Sequence, residues 1–228
     1  MTAPSVWAVV PVKLFRIAKL RLAAVLTASE RARLARVMFE DVLDVLVASR
    51  HLLAGLIVLT SDEDAAAIAR ACGAFVVAER EPAGINEALA RAVDHLAGEP
   101  DAGLLVVPAD LPQVSVGVIE EVIGCLGPSR AVALVPASAD GGTNLLACRP
   151  PNAIPPCFGP RSFEAHRRAA QRAGVSLSVL TWPDLGRDID RPGDLEAFLQ
   201  LGTATRTHAF LSSLRRAERR ETMSSAHA

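Results

Sequence analysis

Short apolar runs along this chain alternate with stretches whose apolar residues recur at helical spacing. Trp7–Val12 has the length and composition of a strand. Ala28–Ser49 places Leu34, Val37, Met38, Val42, Val45 and Leu46 on one helical face, and Thr27 with Glu30 forms a capping-box pattern ahead of it. The same reading predicts a strand Leu56–Thr60, a helix from Asp62 that stops at Gly73, a strand Phe75–Ala78 and a helix Asn86–Leu96. Leu104–Val107 is nearly continuous in apolar residues, as a strand buried on both faces of a parallel sheet must be. A helix from Ser115, strands Val132–Val135 and Asn144–Cys148, and a Pro-rich loop to residue 160 follow. A helix over 162–173, a strand near Leu177–Leu180 and a helix from Pro192 complete the series. Strands alternating with helices predict an α/β fold, a three-layer sandwich forming one domain over residues 1–201. Gly202–Ala228 is polar and basic, which predicts a short helix and a frayed end.

Composition narrows the function. Tyrosine is absent, so the core rests on Val, Leu, Ile and Ala, and a nucleic-acid module built on stacked aromatics is disfavoured. A net charge of −1 supplies no broad field for nucleic acid or an anionic membrane, although residues 203–228 set five Arg against two Glu. No apolar run approaches the ~20 residues of a membrane span, and the N-terminal residues lack the layout of a signal peptide. Cys72, Cys125, Cys148 and Cys157 form no CxxC pair and no zinc spacing, so a cytoplasmic protein without zinc is expected.

Candidate chemistry lies at the carboxyl ends of the predicted strands, where open α/β sheets bind ligands. The chain has only two lysines, Lys13 and Lys19, and both follow the first strand, with Arg16 and Arg21 beside them. A compact ammonium suits phosphate oxygens; either lysine alone reads better as a solvated surface residue, but the pair does not. Asp110 follows a buried strand directly, so its carboxylate needs a partner. Mg²⁺, which takes one or two carboxylates plus phosphate oxygens, is one such partner, and a turn cap near Pro112 is the other reading. Asp188 and Asp190 point the same way if their stretch is extended, and the other reading of Asp190 is a turn acid ahead of Arg191-Pro192. Asp140-Gly-Gly-Thr143-Asn144 is either a phosphate-holding loop or a plain hairpin turn. The loop Pro155–Arg161 leads into a helix whose first amides and Ser162 hydroxyl favour an anion, and an ordinary N-cap is the alternative. Ser61 ends the second strand, and Asn86 either reads a base edge or caps its helix. The five histidines suggest no nucleophilic catalysis.

The ordered series Val9-Val-Pro-Val-Lys13, Ala18-Lys-Leu-Arg21, Thr60-Ser-Asp62, Gly84-Ile-Asn86, Pro108-Ala-Asp110-Leu-Pro112, Gly141-Gly-Thr-Asn144, Phe158-Gly-Pro-Arg-Ser-Phe163 and Asp188-Ile-Asp190 resembles the phospholactate guanylyltransferase family of coenzyme F(420) biosynthesis. That family includes phosphoenolpyruvate and 3-phosphoglycerate guanylyltransferases, and the resemblance runs from residue 6 to about 201. It implies a Rossmann-like nucleotidyltransferase fold with a mostly parallel mixed sheet. It also implies transfer of GMP from GTP to the phosphate of a three-carbon acid, with release of pyrophosphate. By position, Thr143, Gly159 and Ser162 would hold the acid, and Asp110, Asp188 and Asp190 would bind Mg²⁺. Lys13, Lys19 and Arg21 would hold the triphosphate, with Ser61 and Asn86 counted among the nucleotide-binding residues and Asp110 and Lys19 as catalytic. The alternatives are a nucleotidyltransferase for a phosphosugar or molybdopterin, and a non-catalytic nucleotide sensor. A homodimer is left open.

Overall fold

The computed structural model describes residues 5–78, 84–96, 98–99, 101–137, 141–182, 185 and 189–225, with backbone only from residue 218 onward. Seven strands form a single sheet: β1 Val6–Val12, β2 Leu53–Thr60, β3 Phe75–Ala78, β4 Gly103–Val106, β5 Ala131–Pro136, β6 Thr143–Arg149 and β7 Ser176–Val179. Their spatial order is β3-β2-β1-β4-β6-β5-β7, and β6 alone runs against its neighbours. The helices are α1 Ala28–Ala48, α2 Glu63–Ala71, α3 Ile85–Leu96, α4 Val116–Gly124, α5 Ser162–Ala173, α6 Pro192–Gln200 and α7 Arg206–Ser225.

Alternation along the strands divides the core into two layers. Val6, Ala8, Val10 and Val12 of β1, with Ala131, Ala133 and Val135 of β5, face α1, α2 and α4. Val9 of β1, with Val132 and Leu134 of β5, faces α3 and α5. The expected three-layer sandwich and mixed sheet are therefore present. β2 begins at Leu53, three residues before the apolar run of Leu56–Thr60, because Leu53 pairs with Val6 across the sheet.

The C-terminal stretch is more ordered in character than its mean polarity implies. α7 is a 20-residue helix, not a short one. Buried Thr207, Phe210 and Leu211 and partly buried Leu214 recur at i, i+3, i+4 and i+7, and the last three join Leu34 and Met38 of α1 and Phe198 of α6 in a third cluster. Asp41, buried on α1, caps the helix: its carboxylate accepts from the Arg206 amide at 2.8 Å, the Thr207 amide at 2.9 Å and the Thr207 hydroxyl at 2.6 Å. The surrounding arginines dilute this stripe in the sequence.

Candidate active site

Two groups of side chains meet at the carboxyl edge of the sheet. The first is built by the segment after β1, which makes two 3₁₀ turns, Phe15–Ile17 and Leu20–Leu22. Asp62 holds this segment against β2: its Oδ2 accepts from the Phe15 amide at 2.8 Å, while its Oδ1 accepts from the Ala65 amide at 3.0 Å and caps α2. Ser61, beside it, is exposed at the strand end. Between the two turns Lys19 adopts the left-handed backbone (φ 52°), uncommon for a residue with a Cβ. The turn sends its side chain inward, 5% exposed, and Nζ lies 2.8 Å from Asp110 Oδ2 and 2.8 Å from Asp190 Oδ1. Arg21 Nη1 is 3.4 Å from Asp190 Oδ2 and remains exposed. Asp190 is set in place by Asp194, whose Oδ2 accepts from the amides of Asp190 at 3.1 Å and Arg191 at 2.7 Å at the head of α6.

Electrostatics in this group are decided by the ion pairs. Burial alone would lower the Lys19 pKa, but the two carboxylates together hold it above the usual lysine range. The Lys19 charge outweighs burial at Asp110 and holds that carboxyl below the usual carboxylate range; exposed Lys13 adds a smaller field of the same sign. Lys19 thus occupies a position where two ionised carboxylates converge on one cation. Among the described residues no cluster of three or more His, Cys, Asp or Glu could hold a metal ion. Asp188, expected as a third carboxylate, and Asp140 lie outside the described residues.

The second group comes from β6 and the start of α5. Because β6 is antiparallel to β4, with Leu146 opposite Val106, the strand's N-terminal end lies at the edge where β4 leads to Asp110. Thr143 stands at that end and is buried. Its Oγ1 lies 3.3 Å from Ser162 Oγ, which donates to it, and 3.0 Å from Nδ1 of His166. The Cys157 amide donates to Nε2 of the same ring at 2.8 Å. Burial pushes the His166 pKa down to about 4, so the imidazole is neutral at pH 7. Gly159 has φ +141°, a conformation that favours glycine, and a Cβ there would meet nothing within 4 Å. Asn86, at the start of α3, grips the loop by both ends of its amide. Nδ2 donates to the Phe158 carbonyl at 2.9 Å, and Oδ1 accepts from the Phe158 amide at 2.7 Å.

Several residues therefore act differently from the sequence reading. Ser162 is the first residue of α5 and not its cap; the cap is Arg161, in the left-handed region, with no side-chain cap bond. The Ser162 and Phe163 amides donate to the carbonyls of Gly159 and Gly141, both at 3.1 Å, so these two helix-start donors bind the protein itself. The amide of Asn86 braces the Phe158 backbone and does not cap α3 through its side chain. His166, one of five histidines that carry no motif in the sequence, shares an inward stripe with Ser162, Ala169 and Ala170, the three later residues lying at i+4, i+7 and i+8 from Ser162. Its place on Ser162's face was the available signal. Asn144 ties the two groups together, donating from Nδ2 to the Leu185 carbonyl at 2.8 Å, just upstream of Asp190. A cleft of about 530 Å³ between α1 and α2, lined by Phe15, Arg33, Arg36, Glu40 and Asp64, contains none of these residues.

With this geometry in place, comparison with known proteins is specific. The profile of the family described as "Guanylyl transferase CofC like" matches residues 6–227, so the match continues through α7, past the point near residue 201 where the motif resemblance ends. The chain is 39% identical over 189 residues to the phosphoenolpyruvate guanylyltransferase of Sphaerobacter thermophilus, covering 83% of this chain and 90% of that one. It is 36% identical over 200 residues to the 3-phospho-D-glycerate guanylyltransferase of Phenylobacterium zucineum, covering 87% and 91%. The fold superposes with TM-score 0.77 and 19% identity on a Desulfovibrio desulfuricans G20 protein assigned to the nucleotide-diphospho-sugar transferases, over 95% of this chain and 98% of that one. No described helix is long and apolar enough to cross a membrane. The nucleotidyltransferase fold, the ordered site residues and a profile match over nearly the whole chain place this protein in the CofC-like guanylyl transferase family.

Proposed function

We propose that this chain transfers GMP from GTP to the phosphate of a three-carbon phospho-acid in a Mg²⁺-dependent reaction that releases pyrophosphate. The observation that carries the reading is Lys19, Nζ 2.8 Å from both Asp110 and Asp190, at the sheet edge that also holds Thr143 and Ser162. Two ionised carboxylates converging on one cation suit Mg²⁺, which accepts one or two carboxylates and completes its shell with phosphate oxygens. Asp110 and Asp190 would hold the ion, with Asp188 as the third candidate. When bound, Mg²⁺ supplies charge neutralisation at the α-phosphate and the leaving pyrophosphate.

The chain's own residues account for the rest. Exposed Lys13 and Arg21 and the ammonium of Lys19 would take the triphosphate with Ser61 beside them, whereas Asn86, a nucleotide residue by resemblance, has both ends of its amide taken by Phe158. Thr143 and the open backbone at Gly159 take the acid, with Ser162, whose hydroxyl donates to Thr143, supporting that contact. The attacking group is a phosphate monoester, whose second pKa near ~6 leaves it largely ionised at pH 7. It needs no general base, in keeping with a neutral, buried His166 as the one histidine in the site. Catalysis then consists of holding two repelling anions in line and neutralising the charge that develops. The acceptor is phosphoenolpyruvate, 3-phospho-D-glycerate or 2-phospho-L-lactate. These differ by features worth ~1–3 kcal/mol of discrimination, so an assay decides among them.

The test is pyrophosphate release by the purified protein with Mg²⁺ and GTP, offering the three acids separately. Release is expected with at least one acid and should fall by a factor of ~10²–10³ in Asp110→Asn. GTP binding without release, with all three acids, would point instead to a sensor.

A further inference from the structure

We propose that His166 is a positioning residue for the acceptor: through its Nδ1–H it turns the Thr143 hydroxyl proton away from the protein and toward the phospho-acid. This rests on the reading that Thr143 holds that acid.

His166 is 0% exposed. The Cys157 amide donates to its Nε2 at 2.8 Å, and a ring nitrogen that accepts a hydrogen bond carries no proton. In the neutral ring the proton is therefore on Nδ1, which faces Thr143 Oγ1 at 3.0 Å and donates to it. Ser162 Oγ donates to the same oxygen at 3.3 Å. A hydroxyl oxygen accepts two hydrogen bonds and donates one. With both acceptor positions of Thr143 filled by His166 and Ser162, its own proton points away from them. An ionised phosphate or carboxylate accepts and cannot donate, so a hydroxyl fixed as a donor discriminates in its favour. One left to rotate would not.

The ring is braced for this role. Phe158 meets it edge-on, with centroids 4.9 Å apart, and Asn86 fixes the Phe158 backbone at 2.9 Å and 2.7 Å. The brace thus runs from the start of α3 through the loop to Thr143.

The test compares steady-state kinetics of His166→Leu, His166→Asn and His166→Gln with wild type, varying the acid and GTP separately. An Asn amide nitrogen falls where Nδ1 lies and restores the donor to Thr143. A Gln amide reaches only the Nε2 position and restores only the contact with Cys157. His166→Leu should raise KM for the acid ~10-fold, the loss of one oriented hydrogen bond, while KM for GTP stays within about twofold. Asn should recover most of that loss and Gln little of it. If the leucine variant does not fold, the Asn and Gln variants carry the comparison. An unchanged acid KM, equal behaviour of Asn and Gln, or a parallel rise in GTP KM would overturn the proposal. Thr143→Val, run alongside, separates the two levels. If it leaves the acid KM unchanged, the acceptor reading falls and this inference with it. If it raises the acid KM while the His166 variants do not, only the inference falls.

Discussion

Lys19 is the cation that two carboxylates share, with side-chain exposures of 45% at Asp110 and 39% at Asp190. Replacing it by methionine leaves both carboxylates facing each other with only the exposed cations Arg21, 3.4 Å from Asp190, and Lys13 nearby. Because both remain partly wet, the expected loss is about 1–2 kcal/mol and not the larger penalty of a fully buried pair. Urea unfolding in EDTA should show this loss, and added Mg²⁺ should restore more stability to Lys19→Met than to wild type. An unaltered unfolding midpoint would mean that the three groups are not coupled. His166 makes a pH prediction of opposite origin. Its folded pKa of about 4 lies below its ordinary value of 6.5, so between those values the unfolded chain binds a proton that the native state refuses. Stability from this group is complete above about pH 6.5 and declines as pH falls toward 4, by at most about 1.4 kcal/mol per pH unit. Unfolding midpoints between pH 7 and 4.5 should therefore fall more steeply in wild type than in His166→Gln. Neither role is visible along the chain: Lys19 and Asp110 are 91 positions apart, and the tautomer of His166 is set by the amide of Cys157.

Among the elements, α7 and the loop before α5 are sensitive to particular residues. Asp41 takes the Arg206 and Thr207 amides of the α7 N-terminus while Thr205 Oγ1 takes that of His208, so Asp41→Ala should lower stability by about 1–2 kcal/mol, the usual cost of a lost cap. Far-UV circular dichroism should show reduced helix, while turnover per folded molecule stays the same because Asp41 lies outside the proposed site. Gly159→Ala meets open space but retains a φ of +141°, so strain and not collision is expected, of order 1–3 kcal/mol. Its effect should appear as a raised KM for the acid, since this loop carries the Cys157 amide that orients His166. The strands and most helices were legible because burial imposes a period of two or 3.6 on any half-buried element. The length of α7 is hard to read for a physical reason: its stripe of Thr207, Phe210, Leu211 and Leu214 is narrow and set among arginines, and Asp41, which takes its first two amides, lies 165 residues away.

For the molecule as a whole, the reversed strand β6 does what the motifs could not reveal. It carries Thr143 to the edge where β4 delivers Asp110, so the groups proposed to hold the nucleotide and the acid share one end of the sheet. The sequence offered candidates for this edge, because loops after parallel strands are where such sheets bind ligands. It could not tell which donors at the start of α5 are taken up by the protein itself, since Ser162 and Phe163 bond to carbonyls in two separate loops. The most direct test of the account follows the α-phosphate of GTP, labelled with ³²P, in the presence of Mg²⁺ and each of the three acids in turn. The account predicts that label appears in a guanylyl-diphospho acid, with one pyrophosphate released per product formed, only when an acceptor is present. Pyrophosphate released without an acceptor, or label remaining in GTP with all three acids, would contradict it.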